Sequence, residues 1–204
     1  MAIRKPSYSS SVFINCPFDE EYKPILHAII FCIYDCGFAV RIALETVGGD
    51  NRLDRLISCI QESRYSIHDL SRIESPRLNM AFECGLFVGA QRFGNQKQKT
   101  KDLLILDAVD HRYKQTMSDV AGQDGKIHHN KPNEAIAGVR AFLYRKSKRA
   151  SIPGAAKINE RYNQFLRELP KMAEVARVTP DELTSFDYLL DLIEVMRTWI
   201  LRTS

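Results

Sequence analysis

The chain has 204 residues, 45% hydrophobic and 26% charged, which excludes a disordered class and leaves enough apolar side chain for a sizeable core. Its 29 basic and 25 acidic residues give a formal net charge of only +4 and are spread along the chain, unlike the single basic stripe of a specific nucleic-acid binder. The longest apolar run, residues 25–34, contains His27 and is too short to span a bilayer, so no membrane role is expected.

Residues 1–11 carry Arg4 and Lys5 with no apolar run behind them, unlike a secretory signal. Residues 11–15 (SVFIN) are an apolar run closed by Cys16 and Pro17, which predicts a buried strand. Asp19, Glu20 and Glu21 suit a first helical turn, where the dipole favours carboxylates. The helix over 22–34 is apolar on nearly every face and stops at Gly37. A second strand follows at 38–44 (FAVRIAL), then an open loop at Gly48, Gly49 and Asp50. Leu53, Leu56, Ile57 and Ile60 recur at helical spacing within 52–64. A third strand at 65–69 (YSIHD), a loop at 71–78 and a helix over 80–90, with Asn79 as its N-cap, come next.

The polar stretch 94–101 predicts an exposed loop, and Leu103–Leu106 is the clearest strand in the chain. A helix over 113–121, a short fifth strand at 126–128 and a helix over 133–144 complete this part. Strands alternating with helices imply an α/β domain, an open, mostly parallel, five-stranded flavodoxin-like sheet with helices on both faces.

A composition break at 147–155, with Pro153 and Gly154, divides residues 1–146 from a C-terminal helical extension, 147–204. The cluster Arg145, Lys146, Lys148 and Arg149 reads as a solvated helix end. The extension holds two predicted helices, 156–175 and 181–202. The second opens on Thr179, Pro180, Asp181 and Glu182, an N-cap pattern. Its apolar stripe, Leu183 to Ile200, must bury on the main domain, its partner helix or another subunit, and a homo-oligomer is expected. Five cysteines (Cys16, Cys32, Cys36, Cys59, Cys84) without a CxxC pair suggest reduced thiols and a cytoplasmic location.

In a parallel sheet of this kind ligands sit beyond the carboxyl ends of the strands. That rule selects residues 15–19, 41–45, 69–71 and the helix starting near Asn79. Asn79 and Glu83 lie one turn apart on one helix face. Glu83, between Phe82 and Cys84, is an odd choice for a helix packed on a sheet, and the following Gly85 costs about 1 kcal/mol relative to Ala. It would allow close approach of backbone or ligand. Solvent exposure of Glu83 is the competing reading. His128 and His129, adjacent on a strand, face opposite ways with no third ligand nearby, so they read as a solvated pair and no metal site is expected. His68 is expected to pack beneath the sheet end.

Strand, Asp69-Leu70-Ser71, loop, then Asn79-Met80-Ala81-Phe82-Glu83-Cys84-Gly85 resembles the signature of the TIR-like and nucleoside 2-deoxyribosyltransferase-like bacterial domains. Residues 12–19 (VFINCPFD) resemble the first strand and loop of that group, and the likeness spans roughly 11–142. Cys84 stands where Leu is usual, and the loop at 74–77 departs from the pattern.

The resemblance implies cleavage of a C–N glycosidic bond, with NAD as substrate and no separate cofactor, in a nucleotide-depleting antiphage defence effector. A nucleoside or nucleotide hydrolase or deoxyribosyltransferase and a non-enzymatic nucleotide sensor or assembly module are the alternatives. Glu83 is then expected beside C1′ and Asp69 at the ribose hydroxyls or as a general acid. Asn15, Phe18, Asp19, Arg41, Ser71, Asn79 and Phe82 are the expected substrate contacts. Phe18 is expected to stack on the base, and Arg41 to reach phosphate. A regulatory protein partner is also compatible with the resemblance.

Overall fold

The computed structural model describes residues 6–43, 51–72, 78–110, 112 and 125–203. Five strands, β1 (Ser11–Asn15), β2 (Ala39–Ile42), β3 (Tyr65–Asp69), β4 (Asp102–Asp107) and β5 (Gly125–Ile127), pair in the order β2-β1-β3-β4-β5. Every neighbouring pair is parallel. This is the expected α/β sheet, and the strand order reverses between β1 and β3. Among the described residues the helices are α1 (Lys23–Asp35), α2 (Arg52–Glu62), α3 (Asn79–Phe93), α4 (Pro132–Ser147), α5 (Ala155–Val175), α6 (Pro180–Leu183) and α7 (Leu189–Thr203). The predicted helix at 113–121, the loop at 48–50 and residues 73–77 of the loop at 71–78 lie outside the described residues. No helix among the described residues is long and apolar enough to cross a membrane.

Strand alternation assigns each face its own core. Val12, Ile14, Tyr65, Ile67, Leu104 and Leu106 pack under α1 and α4. Phe13, Leu103 and Ile105 pack under α2 and α3 with Leu56, Ile60 and Phe87. α1 ends as expected at Gly37, whose φ of +77° is the left-handed conformation that closes a Schellman motif. Its amide donates to Tyr34 O (2.9 Å), and Phe38 N donates to Ile33 O (3.0 Å).

Several boundaries differ from the sequence reading. α1 begins at Lys23 with no acid in its first turn, because Asp19 closes the preceding turn: its carboxylate accepts from Tyr22 N at 2.9 Å. Asn79 is the first residue of α3 rather than a cap, and makes no capping bond. α3 continues to Phe93, its last turn tied down by Gln91 Nε2 donating to Lys101 O at 2.6 Å. Lys101 itself is buried, not exposed. Its Nζ donates to Ile60 O at 2.6 Å and to Ser63 O, and lies over the Phe87 ring.

Gly85 faces open space: a Cβ there would meet nothing within 4 Å, so it serves no close approach. Gly85→Ala is therefore expected to stabilise the protein by about 0.5–1 kcal/mol through helix propensity and a less flexible unfolded chain. Thermal unfolding should show a midpoint roughly 1–4 °C higher; an unchanged or lower midpoint would mean that the site is strained.

The C-terminal helices bury their apolar stripe on α1. Phe31 meets Tyr162, Phe165 and Trp199 at ring-centroid separations of 5.3, 5.6 and 5.8 Å, and these residues belong to the same core as the sheet. The single helix expected over 181–202 is broken. A capping box at Thr179 and Glu182 starts α6, which stops at Leu183, and a 3-10 turn at Phe186–Tyr188 precedes α7. Thr184 Oγ1 donates to Pro180 O (3.0 Å), a side-chain bond of the kind that competes with helix continuation. The break sets Phe186 against Phe18, edge to face at 5.7 Å.

Candidate functional site

Beyond the carboxyl ends of β1 and β2 lies a cleft of about 650 Å³. The segment leaving β1 supplies Asn15, Cys16, Pro17 and Phe18. The first turns of α2 supply Arg52 and Arg55, and α3 supplies Asn79, Met80 and Glu83. The parallel sheet dictates this meeting, since helices after β2 and β3 both start at the rim where β1 ends.

Glu83 is 9% exposed, so it does not face bulk solvent. Burial pushes its carboxyl pKa up, while the Arg52 guanidinium opposes that rise and favours the ionised form. Asn79, one turn earlier, lines the same cleft as the spacing predicts. Cys16 is excluded as a nucleophile, because burial, with Asp69 and Glu83 adding negative charge nearby, holds its thiol far above the usual range.

Asn15 borders the cleft but its amide is committed. Nδ2 donates to Met80 O at 2.8 Å and lies 2.9 Å from His68 Nδ1, which pins the start of α3 to β1. Phe18 lines the wall with its ring edge braced by Phe186.

Five expected contacts lie elsewhere. Arg41 pairs with Glu62 at 2.7 Å, with its side chain mostly buried, so it is not aimed at a phosphate. Asp19 caps its own turn and accepts from Arg72 Nε at 3.3 Å. Phe82 is 55% exposed and does not line the cleft. Asp69 and Ser71 form a separate buried network. Asp69 Oδ2 accepts from Tyr22 OH (2.7 Å) and lies 3.0 Å from His128 Nε2; Oδ1 accepts from Ser71 N at 2.9 Å. Burial alone would raise the Asp69 carboxyl; the bonds from His128, Ser71 and Tyr22 hold it below its ordinary value. With no exposed surface, Asp69 cannot touch a substrate and instead ties β3 to β5 and α1.

His128 corrects the solvated-pair expectation. It is fully buried, and Asn130 N donates to its Nδ1 at 3.1 Å, so Nε2 carries the proton toward Asp69 and Ser71. His129 alone is exposed, near Glu134 and Asp110. Both histidines lie just beyond β5, where the chain turns with His129 at a φ of +47°, so strand alternation does not set their facing. His68 packs as expected, between the rings of Phe13 and Phe87.

Arg52 and Arg55 are the cleft residues that sequence reasoning passed over. The strand-end rule that selected 41–45 extends naturally to the helix after β2. Among the described residues no three His, Cys, Asp or Glu side chains converge as a metal site. No protein-family model matches this chain, nor does any curated protein or solved structure.

Proposed function

We propose that the protein is an N-glycosidase that cleaves the nicotinamide–ribose bond of NAD, acting in the cytoplasm as a nucleotide-depleting effector. The observation that carries this reading is the desolvated Glu83 carboxylate inside a cleft at the sheet's carboxyl rim, facing the same space as two arginines.

Breaking the C1′–N bond sends its electron pair to the pyridinium nitrogen, which leaves as neutral nicotinamide. Positive charge then builds on C1′ and the ring oxygen. A carboxylate held in a poorly solvated site stabilises that charge more than water does, because it needs no reorganisation. Water adds to C1′ and loses a proton, giving ADP-ribose and one H⁺. Asn79, on the same face of α3, is suited to the ribose hydroxyls, and Arg52 and Arg55 to the diphosphate, for which guanidinium forks are well matched. Phe18, in the cleft wall, is suited to apolar contact with the base.

Purified protein incubated with NAD should release nicotinamide, followed by chromatography beside a panel of nucleosides and their monophosphates. Cleavage of the panel but not of NAD would overturn the substrate; cleavage of none would overturn the activity. A further result is expected from Arg52→Ala. Without that charge the Glu83 pKa rises further, so the acid limb of the kcat/KM profile should move to higher pH and KM for NAD should increase. An unmoved limb would separate Arg52 from the working carboxylate.

A further inference from the structure

A second cleft, of about 550 Å³, lies on the opposite face of the sheet from α2 and α3, where the start of α1 and of α4 meets α5. Its volume falls within the range of small-molecule sites. Three carboxamides reach it: Asn159 and Asn163, one turn apart on α5, and Asn133 from the first turn of α4. None of the three makes a side-chain hydrogen bond among the described residues; Asn133 and Asn163 are exposed and Asn159 is half-buried. His27, only 6% exposed, borders the same cleft, and its Nε2 has no hydrogen-bond partner.

Charge narrows the ligand class. Lys23 is the one charged lining residue among those described, and it is neutralised by an ion pair with Glu20. Burial pulls the His27 pKa down to about 4, so the imidazole is neutral near pH 7. A phosphate or carboxylate would therefore find no unpaired cation among the described lining residues. Apolar surfaces are present instead, from Pro24, Pro132 and Leu166.

We propose that this second cleft binds an uncharged nucleobase-type ligand, whose ring lies against the Pro24, Pro132 and Leu166 surfaces while the asparagines pair with its edge. A carboxamide presents a donor and an acceptor side by side, which matches the adjacent donor and acceptor on the edge of a base such as adenine. The site is separate from the Glu83 cleft and does not depend on the reaction proposed there. It exists only because α5 and Thr184, from the C-terminal helices, close over the ends of α1 and α4.

The test is calorimetric titration of adenosine into Glu83→Gln protein, a background in which the proposed chemistry is suppressed. One molecule of adenosine should bind per chain. Asn159→Ala combined with Asn163→Ala should weaken binding by about tenfold or more, since two hydrogen-bonding partners are lost. Both changes sit on accessible helix positions and raise helix propensity, so folding is retained. Arg52→Ala should leave adenosine affinity unchanged. Absence of binding, unchanged affinity in the asparagine variant, or loss of binding in Arg52→Ala would each overturn the proposal. Tighter binding of adenosine 5′-monophosphate than of adenosine would overturn the uncharged class. Because the readout is binding, failure of NAD cleavage leaves this result standing, and the reverse also holds.

Discussion

Glu83→Gln is expected to lower the rate of nicotinamide release by about 10²–10³-fold, the usual loss when one group aimed at developing charge is removed. The substitution keeps the shape of the side chain and exchanges a charge for a neutral amide. Its effect on folding should run the other way. A carboxylate at 9% exposure with a raised pKa is held at a desolvation penalty, which glutamine avoids. The expected signature is thus a nearly inactive protein whose thermal midpoint is unchanged or higher. Rate and midpoint measured on one preparation check it. Activity within a few-fold of the parent protein would remove Glu83 from the chemistry, and a large fall in midpoint would mean that the carboxylate is structural.

Acid should destabilise the fold well before the carboxylates titrate. Burial, with Lys101 adding to it, pulls His68 down to about 3. Burial, with Lys23 adding, pulls His27 to about 4. Both lie below the unfolded value of 6.5. Between pH 6.5 and the folded values the unfolded chain binds protons that the native protein refuses. Stability is therefore fully present above pH 6.5 and falls as pH drops through that window. By pH 4 each histidine should remove about 3 kcal/mol, from a total that is typically about 5–15 kcal/mol. His68 has no easy relief. Its Nδ1 accepts from Asn15 Nδ2 at 2.9 Å, its Nε2 lacks a partner, and aromatic rings flank it. Urea unfolding at pH 7, 6, 5 and 4 measures the trend, and His27→Leu should flatten it by about one proton. A stability independent of pH from 7 to 5 would refute the burial of both rings.

The sheet was legible because its signals are local. Leu103–Leu106 could only be a buried strand, and Gly37 could only close a helix with its left-handed turn. The place of Glu83 was legible too, because parallel topology sends the helix after β3 to the rim where β1 ends. Asp69 misled for the same reason. A strand's carboxyl end is equally suited to substrate and to a buried structural anchor. Which of them occupies it depends on Tyr22 and His128, 47 and 59 positions away in the chain. Arg41 was ambiguous because alternation along a strand can as well bury an arginine stem as aim it at phosphate, and here the side chain is mostly buried and pairs with Glu62. The last helix looked continuous because periodicity does not register a hydroxyl-rich break such as Thr184–Ser185 when the apolar residues resume in phase.

That break bears on when the cleft can exist. Phe18 is translated early and Glu83 soon after, but the ring of Phe186 that holds Phe18 in place arrives only after α5 and α6. A nascent or prematurely terminated chain thus carries the carboxylate without a finished wall around it. The order of synthesis itself leaves the Phe18 wall unbraced until the late helices have docked on Phe31.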